Sequence, residues 1–322
     1  MNDEVVDENN VELAFDALRY QAYLKEAKMD IATETSKLIS RLNGFKLRKK
    51  IVYALQTRGK LLRPTILLLS GQSVGGKREL LKKLALSVEL LHNATLVHDD
   101  ILDNDHFRRD ALSVHSKWGV RNAILVGDAL ASLSLNLSAE YGEEISGLIS
   151  QACLTLCDGE YMDAIGVTSK VTEKYYFEKI DKKSAALFKV AAKCGAIAGG
   201  GTASEIESLT KFGENFGIAF QISDDLSDIA SLKEGVVPGE NDFQTLPFIH
   251  LNKSTGKKEN GLKVLSPEEM YGLLVGSNSL RYCFNKKKEY LDKAVANLDA
   301  LKDTCYKFYL LKMVENIITN NN

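Results

Sequence analysis

The chain has 322 residues, sets 41 Lys and Arg against 43 Asp and Glu, and contains five cysteines and four prolines. A near-neutral balance gives no electrostatic footprint for nucleic acid, and an odd, unclustered cysteine set fits free thiols in a reducing compartment better than a disulfide framework. At this size roughly 75% of the unfolded surface is buried on folding, so neither disulfides nor a structural metal is needed for a core.

The first ten residues, MNDEVVDENN, are acidic and polar. A secretory signal starts basic and then turns apolar, so the expectation is a cytoplasmic protein. RGKLLRP at 58–64 places Lys60 and Arg63 three apart before an apolar stretch. After a break at 71–77, Leu81, Leu84, Ala85, Val88, Leu91 and Thr95 recur at three- and four-residue intervals, which is the spacing of one buried helix face.

That stripe runs into LVHDDILDNDHFRRD, where Asp99, Asp100 and Asp103 form D-D-x-x-D and Arg108 and Arg109 follow. With 3.6 residues per turn, Asp99 and Asp103 share a helix face and Asp100 sits about 100° around. Like charges at that spacing repel and cost stability unless cations compensate.

The apolar run at 123–137 is interrupted by Asp128, so no membrane span is expected. Cys153 and Cys157, four apart in a helical stretch, read as core packing, since no second Cys or His pair completes a zinc set. IDKKSAALF supplies Lys183 and Ser184. Beyond a glycine break at 199–201, FQISDDLSDI repeats the triad as Asp224, Asp225 and Asp228. The segments 235–247 and 252–261 (NKSTGKKENG) read as loops, and Leu291, Ala294, Val295, Leu298 and Leu301 make a last helical stripe. Alternating strand patterns are almost absent. The expectation is an all-α chain forming a single helical domain over 1–322 that uses both triads at one site.

A single acidic triad is most often a solvated helix face. Two of them, each following apolar residues (Leu96 and Val97; Phe220 and Ile222), point to carboxylates delivered by buried helices. An all-oxygen ligand set suits a hard cation. Magnesium keeps several waters and bridges a few carboxylates to substrate phosphates, whereas neither triad has the glycine-centred loop and closing glutamate of a calcium hand. The substrate should then be strongly anionic, with arginines and lysines neutralising what the metal does not.

In this order and spacing the motifs carry a resemblance. G-K-x-x-R-P at 59–64, His92 seven residues before Asp99, D-D-x-x-D-x-x-x-x-R-R, Gly127-Asp128, Lys183, F-Q-I-x-D-D-x-x-D at 220–228 and T-L-P at 245–247 together resemble the trans-isoprenyl diphosphate synthases, or polyprenyl synthetases. The resemblance implies a bundle of long antiparallel helices around a deep central pocket, usually homodimeric, with the triads facing each other at its mouth. It implies magnesium, an allylic diphosphate bound through Asp99, Asp103 and Asp224 with Arg108, Lys183 and Gln221 assisting, and isopentenyl diphosphate held by Lys60, Arg63, His92 and Arg109; Ser184 is a further substrate-binding candidate. The reaction implied is prenyl transfer, and all six triad carboxylates are candidate catalytic groups.

In similar enzymes the residue five before the first triad floors the hydrocarbon pocket. Here it is Ala94, with Leu91 below it. A methyl group leaves the shaft open, and each further turn adds about 5.4 Å, so a product of twenty carbons or more is expected.

Similar enzymes also carry two lysines after the second triad, in a longer G-K-x-x-G-x-D-x-x-x-G-K-x-T-L-P stretch. This chain reads LKEGVVPGENDFQTLP, with Phe243 at the second lysine and Lys233 nearest the first. Losing one charge-assisted bond of about 1.5–3 kcal/mol would slow such an enzyme by roughly one to two powers of ten. Smaller departures are Arg58 and Asp110 where glycine is usual, Glu160 where glutamine is common, and Ser184 for threonine. The alternative function is a non-catalytic partner subunit of a heteromeric synthase, which would explain the altered loop but has less reason to keep two full triads.

Overall fold

The computed structural model describes residues 8–56, 59–164, 171–239, 241–256 and 259–319; Arg58 lies outside them. The architecture is all-α. The helices are α1 (Glu8–Arg41), α2 (Arg48–Gln56), α3 (Leu62–Ser73), α4 (Arg78–Leu102), α5 (Val114–Trp118), α6 (Val120–Ala139), α7 (Glu143–Ala164), α8 (Glu173–Ile180), α9 (Ala186–Ala198), α10 (Ala203–Ser231), α11 (Leu246–Thr255), α12 (Glu259–Leu262), α13 (Pro267–Gly276), α14 (Ser279–Asn297) and α15 (Cys305–Thr319). A π-helical turn, Asp181–Ala185, joins α8 to α9. The only strands among the described residues form a short hairpin after the first triad, β1 (Phe107–Arg108) with β2 (Ala111–Leu112).

Local chemistry sets several boundaries. Thr202 and Glu205 close a reciprocal capping box at the start of α10, and Ser266 and Glu269 do the same for α13, each satisfying backbone N–H groups left open by the first turn. The expected break at 71–77 begins later, because Gly71 to Ser73 are still helical and buried in α3.

α3 is buried on all sides from Pro64 to Ser73 and wedges between the two largest apolar clusters. Its Leu67 and Leu68 join one with the α4 stripe, and its Ile66 and Leu69 join the other with Phe212, Phe216, Leu291 and Leu298. Its turn Ile66 to Leu69 is apolar all round, which places it inside. Of the two expected stripes, Leu81, Leu84, Ala85, Val88 and Leu91 are buried, as are Leu291, Ala294, Leu298 and Leu301, while Val295 is exposed.

By length and composition α6 is apolar enough to cross a membrane despite Asp128. One of its faces, with Ala123, Val126 and Leu130, is buried in the same cluster as the α4 stripe, α4 being the helix it packs on most extensively. The 252–261 segment is not all loop: it holds the end of α11, closed by Gly256 in the left-handed region, and the start of α12.

Candidate functional site

Asp99 stands in the last turn of α4 and Asp224 near the end of α10, and both line one cavity of about 770 Å³. Lys60, Arg63, His92, Arg109, Lys183, Ser184 and Gln221 line it too. Nine residues selected from five separate stretches of sequence therefore meet around one hollow.

The six triad carboxylates divide by position. The middle members turn into the protein: Asp100 is 2% exposed and Asp225 4%. Asp100 accepts from Arg108 Nε, while Asp225 accepts from Tyr176 Oη at 2.6 Å and Gln221 Nε2 at 3.0 Å. Of the six candidate catalytic carboxylates the middle pair thus point into the protein, and the reason is the 100° rotation between neighbours on a helix. Asp103, Asp224 and Asp228 stay solvent-accessible at the open ends of their helices.

Arg108 is also placed differently from expectation. It donates to Asp99 Oδ2 at 3.3 Å and to Asp100, and it does not line the cavity that Asp99 and Asp224 share. Its guanidinium braces the first triad from behind.

Electrostatics follow from crowding in a partly dry space. Burial first, then Asp225 and Asp228, push Asp224 up to about 7, although the cavity wets its carboxylate. Burial and Asp99 lift Asp103 to about 6; burial, Asp225 and Asp242 lift Asp228 to about 6.

On the other wall, burial followed by Arg63, Arg109 and Arg108 holds His92 well below its usual range, so the imidazole is neutral. Arg63 Nη1 lies 3.3 Å from His92 Nε2, which can only accept there. The Arg63 guanidinium also covers the Phe188 ring at 4.2 Å, and burial brings it down to about 10. Its Nε is buried without a hydrogen-bond partner. A spare donor on a desolvated guanidinium suits an anion, because buried polar groups otherwise go unsatisfied at a cost.

Lys183 sits in the π turn and donates to Asp99 Oδ1 (3.0 Å), Glu160 Oε1 (3.0 Å) and Asp163 Oδ2 (2.6 Å). Burial would lower its pKa, but these three carboxylates outweigh it and raise it. Single-turn π segments are often found at functional positions. α7 approaches this one closely at Gly159, where any Cβ would collide with the Lys183 backbone nitrogen. Gly59 similarly leaves room for the Arg109 guanidinium. Ser184 donates to Gln221 Oε1 at 2.6 Å, extending the chain of bonds to Asp225.

Sequence reasoning missed Asp163 and Tyr176 and undervalued Glu160. Asp163 takes both Lys179 (2.6 Å) and Lys183, and it lies three residues from Glu160 on the same helix face, a spacing that could have flagged it.

The expected hydrocarbon floor also differs. Ala94 (3% exposed) and Leu91 are packed in the core cluster and do not line the cavity; Thr95, Leu96 and His98 of α4 do, with Leu156, Cys157 and Tyr161 of α7. Adjacent helical positions diverge by about 100°, so Thr95 faces the hollow and Ala94 faces its neighbours. Cys157, expected in the core, is exposed and lines the cavity. In the short loop, Phe243 packs on Phe248 with ring centres 4.9 Å apart, and the Lys233 ammonium covers Tyr271 at 4.7 Å.

Among the described residues no three His, Cys, Asp or Glu side chains close on one point as a preformed metal cage. Magnesium takes one or two carboxylates and completes its shell with water and phosphate oxygens. Asp99, Asp103 and Asp224 are the residues that could hold it.

Residues 46–263 match the polyprenyl synthetase family. The chain is 34% identical over 291 residues to the geranylgeranyl diphosphate synthase of Methanosarcina mazei, covering 85% of this chain and 89% of that one. It is 29% identical to the octaprenyl diphosphate synthase of Haemophilus influenzae, covering 84% and 87%. The solved geranylgeranyl pyrophosphate synthetase of Pyrococcus horikoshii superposes with a TM-score of 0.83 at 31% identity, covering 93% of this chain and 98% of that chain.

Proposed function

The chain belongs to the polyprenyl synthetase family, and from that premise we propose that it is a trans-prenyltransferase joining isopentenyl diphosphate to an allylic diphosphate, with a product of twenty carbons or more. The observation that carries the reading is the meeting of Asp99 and Asp224 on one cavity whose walls also present Lys60, Arg63, Arg109 and Lys183.

Magnesium bound through Asp99, Asp103 and Asp224 would supply charge for the departing diphosphate. Lys183 adds a fixed positive charge beside Asp99, and Arg63, Arg109 and Lys60 hold the second diphosphate without metal. The allylic carbon–oxygen bond breaks to a carbocation, the isopentenyl double bond attacks it, and a proton leaves to the released diphosphate to restore an alkene. Preorganised charge of this kind is usually the largest single contribution to rate. No side chain acts as a nucleophile, and neutral His92 serves as a positioning acceptor for Arg63.

The reading includes a homodimer and a cytoplasmic location. Val120, Ile124 and Leu125 of α6 and Leu154 of α7 form exposed apolar surface that a second copy would cover, and five free cysteines fit a reducing compartment. The test is mass spectrometry of products formed by the purified chain from labelled isopentenyl diphosphate, magnesium and five-, ten- or fifteen-carbon primers. Absence of any elongated product from the chain alone would reject it and favour the partner-subunit alternative.

A further inference from the structure

Each of the three N–H bonds of the Lys183 ammonium meets a carboxylate, on Asp99, Glu160 and Asp163. A lysine has no fourth donor, so Lys183 can reach an incoming diphosphate only by giving up one of them. The three acceptors are not equivalent. Asp163 also binds Lys179 at 2.6 Å and is not among the cavity-lining residues, so it is fully engaged behind the wall. Asp99 is the one acceptor of the three that belongs to a triad. Glu160 lines the cavity on α7 but belongs to neither triad.

We propose that Glu160 is a positioning residue: with Asp163 it grips two N–H groups of Lys183, so that the third, resting on Asp99, passes to the allylic diphosphate when the cation takes up Asp99. The inference rests on the function proposed above. It makes cation and diphosphate binding cooperative. The cation alone strands an N–H bond, and the diphosphate alone must compete with Asp99, whereas together they leave every group satisfied. The ammonium of Lys183 donates a charge-assisted bond to Glu160 Oε1, which a glutamine oxygen can also accept and an alanine cannot.

The test uses the full-length chain as wild type, Glu160→Gln and Glu160→Ala. Calorimetry measures inorganic pyrophosphate binding at saturating magnesium, and steady-state kinetics measures the two substrates separately. Glu160→Ala should weaken magnesium-dependent pyrophosphate binding about tenfold or more and raise the allylic KM in step, as expected for loss of a charged hydrogen bond. The isopentenyl diphosphate KM should move little, and Glu160→Gln should recover most of the lost affinity. Unchanged pyrophosphate binding in Glu160→Ala overturns the proposal, as does an equal rise in both KM values. So does a Gln variant as impaired as Ala with magnesium affinity itself reduced, which would make Glu160 a metal ligand. A wild-type chain that binds magnesium and pyrophosphate but makes no prenyl product rejects the proposed function and leaves this inference to the binding data.

Discussion

Tyr176 donates its hydroxyl hydrogen to Asp225 Oδ2 at 2.6 Å, and the two are buried together. The middle aspartate of the second triad is thus an anchor for the end of α10, while Asp224 beside it faces the hollow. Tyr176→Phe should cost about 1–3 kcal/mol of stability by leaving a buried acceptor short of a partner, read by denaturant unfolding. Asp224→Asn should lower kcat/KM by at least tenfold with an equal or higher Tm. Asp225→Asn, which weakens two buried hydrogen bonds, should lower Tm.

The metal-free site should respond to pH in a defined direction. Asp224 sits at about 7, and Asp103 and Asp228 at about 6, against 3.8 for an unperturbed aspartate. Between these limits the three aspartates hold more protons in the folded chain than in the unfolded one, so their contribution to stability falls as pH rises from about 4 to about 7. Thermal melts without magnesium should drop by roughly 5 °C between pH 5 and 8. Magnesium with pyrophosphate should flatten that slope, and magnesium affinity should decline on acidification through the same window. A metal-free melt that rises with pH contradicts the picture.

Product length should answer to Thr95 more cleanly than to Ala94. Thr95→Phe places a ring in the cavity and should shorten the main product by one or more prenyl units. Ala94→Tyr forces a ring into packed core and should cost about 1–3 kcal/mol or more. Mass spectrometry of products, paired with a melt of each variant, separates the two.

Restoring a lysine at Phe243 should not restore a phosphate contact. Phe243 is 6% exposed among Leu232, Phe248, Leu251 and Leu262. Phe243→Lys forfeits packing of the order of 3–5 kcal/mol seen when buried aromatic rings are removed. The expected result is a lower Tm with no gain in kcat/KM.

Asp110 and Arg109 both occupy the left-handed backbone region, with φ of 64° and 51°. A glycine at 110 adopts that conformation without strain. Asp110→Gly should raise stability by up to about 1 kcal/mol, measured as an upward shift in the unfolding midpoint.

The helical class, both triads and most of the cationic residues were legible because each leaves a local pattern: apolar spacing, D-D-x-x-D, or a basic pair at a fixed offset. What stayed hidden were directions. Asp100 and Ala94 sit beside Asp99 and Thr95 in sequence, yet each differs from its neighbour in facing by about a quarter turn. Arg108 was legible as a cation at a fixed offset from the first triad, but not its bonds to Asp99 and Asp100. The Lys183 set draws on α4, α7 and the π turn, and no sequence window spans all three.

The π turn between α8 and α9 also bears on how this chain can change over generations. Its wider ring accommodates one residue more than a regular helix would at that point, and α9 beyond it is clamped between α3 and α10. Removing a single position from 181–185 would let the turn relax to a regular helix with α8 and α9 still in phase, and the displaced backbone that brings the ammonium of Lys183 to Asp99 would be lost. Loop lengths elsewhere can drift, but length here is locked to chemistry.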